Sequence, residues 1–198
     1  MLQVTGPRSA AIIGAVLAVL LGAASVGRAQ QSAASNGLAY STATNLRVQR
    51  QPAAGACHTL GAGLDSRPDP RCTPGALNPA VTQTTIAQTI CRSGWTDAVR
   101  PPESITEAEK YASMRAYGDR GSASRYEYDH FVPLELGGAT NDSRNLWPEP
   151  GASPNPKDAV ENHLRREVCD GGLTLAQAQK LIVTNWVALA KASARGPR

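Results

Sequence analysis

Apolar residues are spread unevenly along this chain, and their distribution already divides it. Ala11 to Val26 is an unbroken apolar run behind the single basic residue Arg8, and Gly27-Arg28-Ala29 supplies small residues after it. This pattern predicts an export signal over residues 1–29, with the mature chain starting near Gln30. A membrane anchor competes, because an uncleaved run of this length begins to span a bilayer. The small residues at its end, with no basic stop-transfer cluster behind them, favour cleavage and no stable membrane association afterwards.

Residues 30–56 are Ala, Ser, Asn, Gln and Gly with few bulky apolar side chains, too little to bury, and predict a flexible leader. From Cys57 to Pro79 the turn residues dominate and predict irregular structure held by cysteines. Asn78-Pro79 then looks like the cap and first turn of a short helix carrying Val81, Ile86 and Ile90. The run Ser104 to Tyr117 holds two overlapping capping boxes, Ser104 to Glu107 and Thr106 to Glu109, and stops at Gly118. It predicts a helix whose packed stripe is Ala108, Tyr111, Met114 and Tyr117.

Tyr126 to Leu136 predicts a strand interrupted or bulged at Pro133, since proline cannot donate to a ladder. Gly137-Gly138 and Asn141-Asp142-Ser143 turn the chain, and Asn145-Leu146-Trp147 begins a return strand. Val160, Leu164 and Val168 recur every fourth residue over a helix from about Lys157 to Cys169, closed by Gly171-Gly172. Leu175, Ala178, Ile182, Trp186 and Leu189 do the same for a last helix to about Lys191. The expected fold is α+β and mainly helical, one domain over residues 57–198 with its central motif at 126–169.

Composition changes this picture little. The mature chain has a size usual for one domain. The formal charge of +4 falls to about +2 when Arg8 and Arg28 leave with the signal, a weak argument for a polyanion partner. All four cysteines, Cys57, Cys72, Cys91 and Cys169, lie beyond the signal and form no CxxC pair. In a secreted or periplasmic chain they predict two structural disulfides. Sequence does not choose among the three connectivities; the expected one joins Cys57 to Cys72 and Cys91 to Cys169. Trp95, Trp147 and Trp186 sit beside turn or helix signals and predict packing rather than base stacking.

The chemistry concentrates in YEYDHFVPLELGG, Tyr126 to Gly138, and NLWPEP, Asn145 to Pro150. A strand with Asp129-His130, a turn, a second strand opening with Asn145 and a helix together resemble the ββα-metal fold of the HNH nucleases. The wider text, with CTPG at Cys72 to Gly75, RPP at Arg100 to Pro102 and KDAVEN at Lys157 to Asn162, looks like a group of exported bacterial HNH-type proteins. The resemblance implies an exported, metal-dependent endonuclease acting on DNA or RNA.

In that reading His130 is the general base, an imidazole able to take a proton at neutral pH. Asn145, through its side-chain or backbone carbonyl, accepts a hydrogen bond from the other His130 ring nitrogen and fixes the tautomer. Asp129 is a metal ligand, and a bulge or twist is needed to bring it to the same site as its neighbour His130. No histidine stands at the third position of the motif. Helical geometry ranks Glu161 first and Asp158 second as further ligands, while an i, i+4 salt bridge between Lys157 and Glu161 is nearly as good an account. Oxygen ligands imply a hard divalent cation, Mg²⁺.

Arg125 and Arg144, near the ends of the hairpin, are the candidate phosphate contacts. His58 and His163 are expected to be structural. The rival function is a non-catalytic secreted binding module that keeps the hairpin as a scaffold. Oligomeric state is left open.

Overall fold

A computed structural model of the protein describes residues 1, 36–43 and 46–194. The expected export signal and the first residues of the expected leader lie outside the described residues. The chain divides at Gln30 and Gln31 into two units, and all that follows concerns the second. It is an α+β fold in which, among the described residues, four helices surround two small sheets.

The leader behaves differently from its composition. Ala39–Tyr40 (β1) pairs in parallel with Ala76–Leu77 (β2). Leu38 is buried in the core, and Ser41 Oγ donates to Asp142 at 2.6 Å. Farther on, the Gln49 amide donates to Glu109 at 2.6 Å and Gln51 Nε2 to the Tyr128 hydroxyl at 3.1 Å. A polar segment can order itself on a ready surface when its few apolar and hydrogen-bonding groups all find partners. The expectation of a free leader up to residue 56 is therefore corrected from Asn36 onward.

The segment after Asn78 is also corrected. It forms turns and a 3₁₀ turn, Ile86–Gln88, although Val81 and Ile90 are buried. Its threonines explain this: Thr85 Oγ1 donates to the Ala80 carbonyl and Thr89 Oγ1 to the Thr85 carbonyl, offering the backbone an alternative to a helix. Trp95–Val99 (α1) is a single short turn, followed by Glu103–Tyr117 (α2).

Helix α2 starts at Glu103 because Pro101-Pro102 cannot continue a helix backward, so neither predicted capping box is used. It ends on Gly118 at φ 71, as the sequence predicts. Its buried face is Glu109, Ser113, Met114, Ala116 and Tyr117, while Tyr111 and Ala108 are exposed.

Tyr126–His130 (β3) and Leu146–Pro150 (β4) form an antiparallel hairpin with Asp129 opposite Trp147 and His130 opposite Leu146. The ladder runs through Asp129 and His130 without a bulge, so the expected distortion there is absent. Pro133 ends the extended run instead and caps a 3₁₀ turn, Leu134–Leu136. Pro156–Cys169 (α3) follows, with Val160, Leu164 and Val168 buried at roughly 1.5–3 kcal/mol each. Leu175–Ala194 (α4) packs on α3 through Leu175, Ala178, Ile182 and Trp186. Disulfides join Cys57 to Cys72 and Cys91 to Cys169 as expected, the second tying α3 to the segment before α1. Such bonds belong to a chain that folds in an oxidising compartment. Among the described residues no helix is long and apolar enough to cross a membrane.

Candidate functional site

The long connection from Phe131 to Asn145 is the frame of the site, and Asn145 is its peg. Asn145 is fully buried, and its side chain makes four hydrogen bonds. Oδ1 accepts from the amides of Val132 at 2.9 Å and Ala76 at 3.3 Å; Nδ2 donates to the carbonyls of Val132 at 2.9 Å and Ala139 at 3.1 Å. This leaves the side chain no capacity for His130, the Asn145 carbonyl accepts from the Phe131 amide, and the imidazole's partner is the Thr140 carbonyl instead: Asn145 holds the loop rather than the base. Gly138 completes the frame. A Cβ there would lie 1.8 Å from the Val132 carbonyl oxygen, a closeness only glycine permits.

The loop's product is the placement of His130. Its Nε2 lies 3.0 Å from the Thr140 carbonyl. A carbonyl only accepts, so Nε2 carries the proton and Nδ1 keeps a bare lone pair. Burial pushes the imidazole down to about 4, helped by the charges of Arg100 and Lys157 and opposed by Thr140 and Asp129. At neutral pH the ring is uncharged and able to accept a proton. It is 7 % exposed, and a cavity of about 210 Å³ lined in part by Ala98, Val99 and Thr140 lies next to its anchor.

Asp129 meets a different neighbourhood. Lys157, 1 % exposed, donates all three ammonium protons: to Asp129 Oδ2 at 2.6 Å, to the His130 carbonyl at 2.8 Å, and to Glu161 Oε1. The Lys157–Glu161 pair is the i, i+4 salt bridge that helical spacing offers. Glu149 lies beside Asp129, 3 % exposed and with no hydrogen-bond partner for Oε2.

Burial would raise the Asp129 carboxyl, but the Lys157 ammonium, a hydrogen bond from Glu149 and the His130 ring together outweigh it and hold Asp129 below its ordinary value. Burial opposes the Lys157 charge too, and the surrounding carboxylates overcome it. Glu149 is pushed up by burial and by the charge of Asp129, and Glu161 by burial against the pull of Lys157. A raised Lys157 and a raised Glu161 describe one pair in opposite senses. The close Asp129 contact secures the ammonium's charge; one cation cannot hold three buried carboxylates ionised, and the surplus proton falls on the Glu149 side.

Divalent metal fits this arrangement poorly. Asp129 and Glu161 do converge, but the place between them is taken by Lys157 Nζ, whose positive charge repels a second cation there. Among the described residues no three His, Cys, Asp or Glu side chains are set to hold a metal ion. Asp158 is spent elsewhere: its Oδ2 accepts from the Asn155 amide at 2.9 Å, closing a capping box at the start of α3. Asn155 in turn donates to Glu127 at 2.8 Å and so fastens the helix to β3.

Arg144 pairs with Asp142 at 2.7 Å, and Arg125 lies beyond the far end of β3, with about 13 Å of strand between Tyr126 and His130. Besides Lys157, the cation that acts on His130 is Arg100. Arg100 follows α1, which packs on the Leu134–Leu136 turn, and acts on both His130 and Glu135. Arg165, on α3, is held by the Ile90 carbonyl at 2.7 Å through Nε and acts on Glu135, whose Oε2 is buried without a partner.

Sequence reasoning overlooked Glu149, Glu135, Thr140 and Arg100. For Glu149 a signal existed: Glu127, Asp129 and Glu149 obey the period of two, and the register places Glu127 opposite Glu149, so the three acids share a neighbourhood. Trp147 and Trp186 are buried as expected of packing residues.

No family model, curated protein or solved structure matches the chain. What defines it is its own arrangement, an α+β protein whose hairpin and following helix enclose a buried lysine–carboxylate cluster beside a neutral, singly anchored histidine.

Proposed function

We propose that the chain is an exported phosphodiester hydrolase acting on nucleic acid, built on a hairpin-helix unit of the ββα-metal kind, with His130 as general base. The observation that carries this reading is the fixed tautomer of His130: Nε2 pinned to Thr140, Nδ1 bare, the ring neutral. Nδ1 takes a proton from the attacking water, and the hydroxide so formed bonds to phosphorus as the P–O bond to the leaving oxygen breaks, that oxygen taking a proton from solvent. Arg100, whose charge acts on His130, meets the phosphate's charge in this reading, in the role that the sequence offered to Arg125 and Arg144. Thr140, through its carbonyl, and Asn145, through the loop, position the base. The Mg²⁺ that the resemblance implies finds no vacant place between Asp129 and Glu161, and no step is routed through it.

The test is cleavage of plasmid DNA and of a labelled RNA by the mature chain. His130→Ala should lower the rate by about 10²–10⁴-fold while leaving the thermal melt nearly unchanged. Full activity in His130→Ala would remove the base assignment, and no cleavage of either polymer by the wild type would remove the reading.

The second reading, a non-catalytic binding module, draws on the saturation of Lys157 and on a groove of about 430 Å³ outside the cluster. Tyr111, Tyr126, Tyr128, Glu103, Glu107 and Lys110 are among its lining residues. Retention of a partner without turnover of any nucleic acid would favour it.

A further inference from the structure

The disagreement between the oxygen-rich cluster and its occupant points to a specific property. We propose that Lys157 is the site's built-in cation: its ammonium excludes divalent ions from the wild-type chain, and its removal opens a latent divalent-cation site.

The donor set supports this. Asp129 Oδ2, Glu161 Oε1 and the His130 carbonyl all converge on one point, the Lys157 nitrogen. Glu149 adds an oxygen that is almost wholly buried and has no donor. Three hard oxygens about one buried point, with a further buried carboxylate beside them, are what a Mg²⁺- or Mn²⁺-sized ion takes when it keeps several waters. An ammonium satisfies the same oxygens with three directed protons and a single charge, and the fit is complete for two of the carboxylates but not for Glu149. Lys157 reaches this point because Asn155 accepts from its amide at 2.8 Å and aims the first turn of α3 at the hairpin. With the side chain cut back to Cβ, the oxygens remain on β3 and α3, and the Asp129 carboxylate is left without its counter-ion.

This inference is independent of the phosphodiester reading, since it concerns what the cluster binds and not what His130 does. Its experiment is therefore a binding titration on the full chain, stripped with EDTA and dialysed, with free Mn²⁺ followed by its paramagnetic resonance signal. The wild type should leave Mn²⁺ free, whereas Lys157→Ala should bind one ion per chain at least ~10-fold more tightly and show a melting temperature that rises with Mn²⁺. Lys157→Ala combined with Asp129→Asn should lose that site. Should the alanine variant not fold in EDTA, refolding on addition of Mn²⁺ supports the proposal, and Lys157→Ser serves as the second variant. Stoichiometric Mn²⁺ binding by the wild type that is lost in Asp129→Asn overturns it. So do folded Lys157→Ala and Lys157→Ser chains that bind no ion.

Discussion

Asp129 and His130 are neighbours on one regular strand, and they meet opposite fates. Asp129 enters a closed cluster in which every Lys157 proton is used and a buried charge is matched by a buried charge. His130 has one anchor, the Thr140 carbonyl, and a lone pair that nothing occupies. The first side uses every Lys157 proton and holds β3 to α3; the second keeps unspent capacity in reach of the Arg100 charge. Alternation along a strand is enough to separate structure from chemistry by a single residue.

The comparison breaks first on stability. Lys157→Ala leaves Asp129 buried without its counter-ion and should cost about 3–5 kcal/mol in urea unfolding, whereas His130→Ala should cost about 1 kcal/mol or less. Equal losses would contradict the division of roles. Asn145→Ala strips the loop of its peg and leaves several buried amides and carbonyls unpaired, an expected loss of about 3 kcal/mol, with the catalytic rate falling as Thr140 drifts from His130. A smaller effect appears with pH. The folded His130 lies at about 4, below the ordinary value of 6.5, so the folded state binds fewer protons than the unfolded one. Its contribution to stability is complete above the unfolded value and is lost as pH falls from about 6.5 through about 4. His130→Gln should flatten that part of the pH–stability curve, and an unchanged curve would show that His130 does not titrate there. Smallest of all, Arg100→Ala should lower the salt slope of nucleic-acid binding by about 0.7–0.9 with the melt unchanged.

What was legible in the sequence was local. The spacing of Val160, Leu164 and Val168 and of Ala178, Ile182 and Trp186 gave α3 and α4, and the Gly137-Gly138 pair gave the turn, because these signals act within a few residues. The helix after Asn78 failed because side-chain threonine bonds compete with helical ones over the same short range. The leader's docking rests on Leu38, Ser41 and Gln49 meeting partners far along the chain, which composition does not carry.

In the site, the importance of Asp129, His130, Asn145 and Glu161 could be read, and so could the Lys157–Glu161 pair, but the other partners could not. Asn145 serves backbone groups of Ala76, Val132 and Ala139, and no side-chain motif announces backbone partners. Lys157 could be read as one half of an i, i+4 pair covering the hairpin; only the packing of α3 on β3 adds Asp129 and the His130 carbonyl to its partners.

The central claim, that His130 offers a bare Nδ1 from a neutral ring, is tested most directly by long-range proton–nitrogen correlation NMR of the imidazole. A single neutral tautomer protonated on Nε2, persisting from pH 7 down to about 4, is the predicted result. A proton found on Nδ1, or titration near the ordinary histidine value, would contradict it.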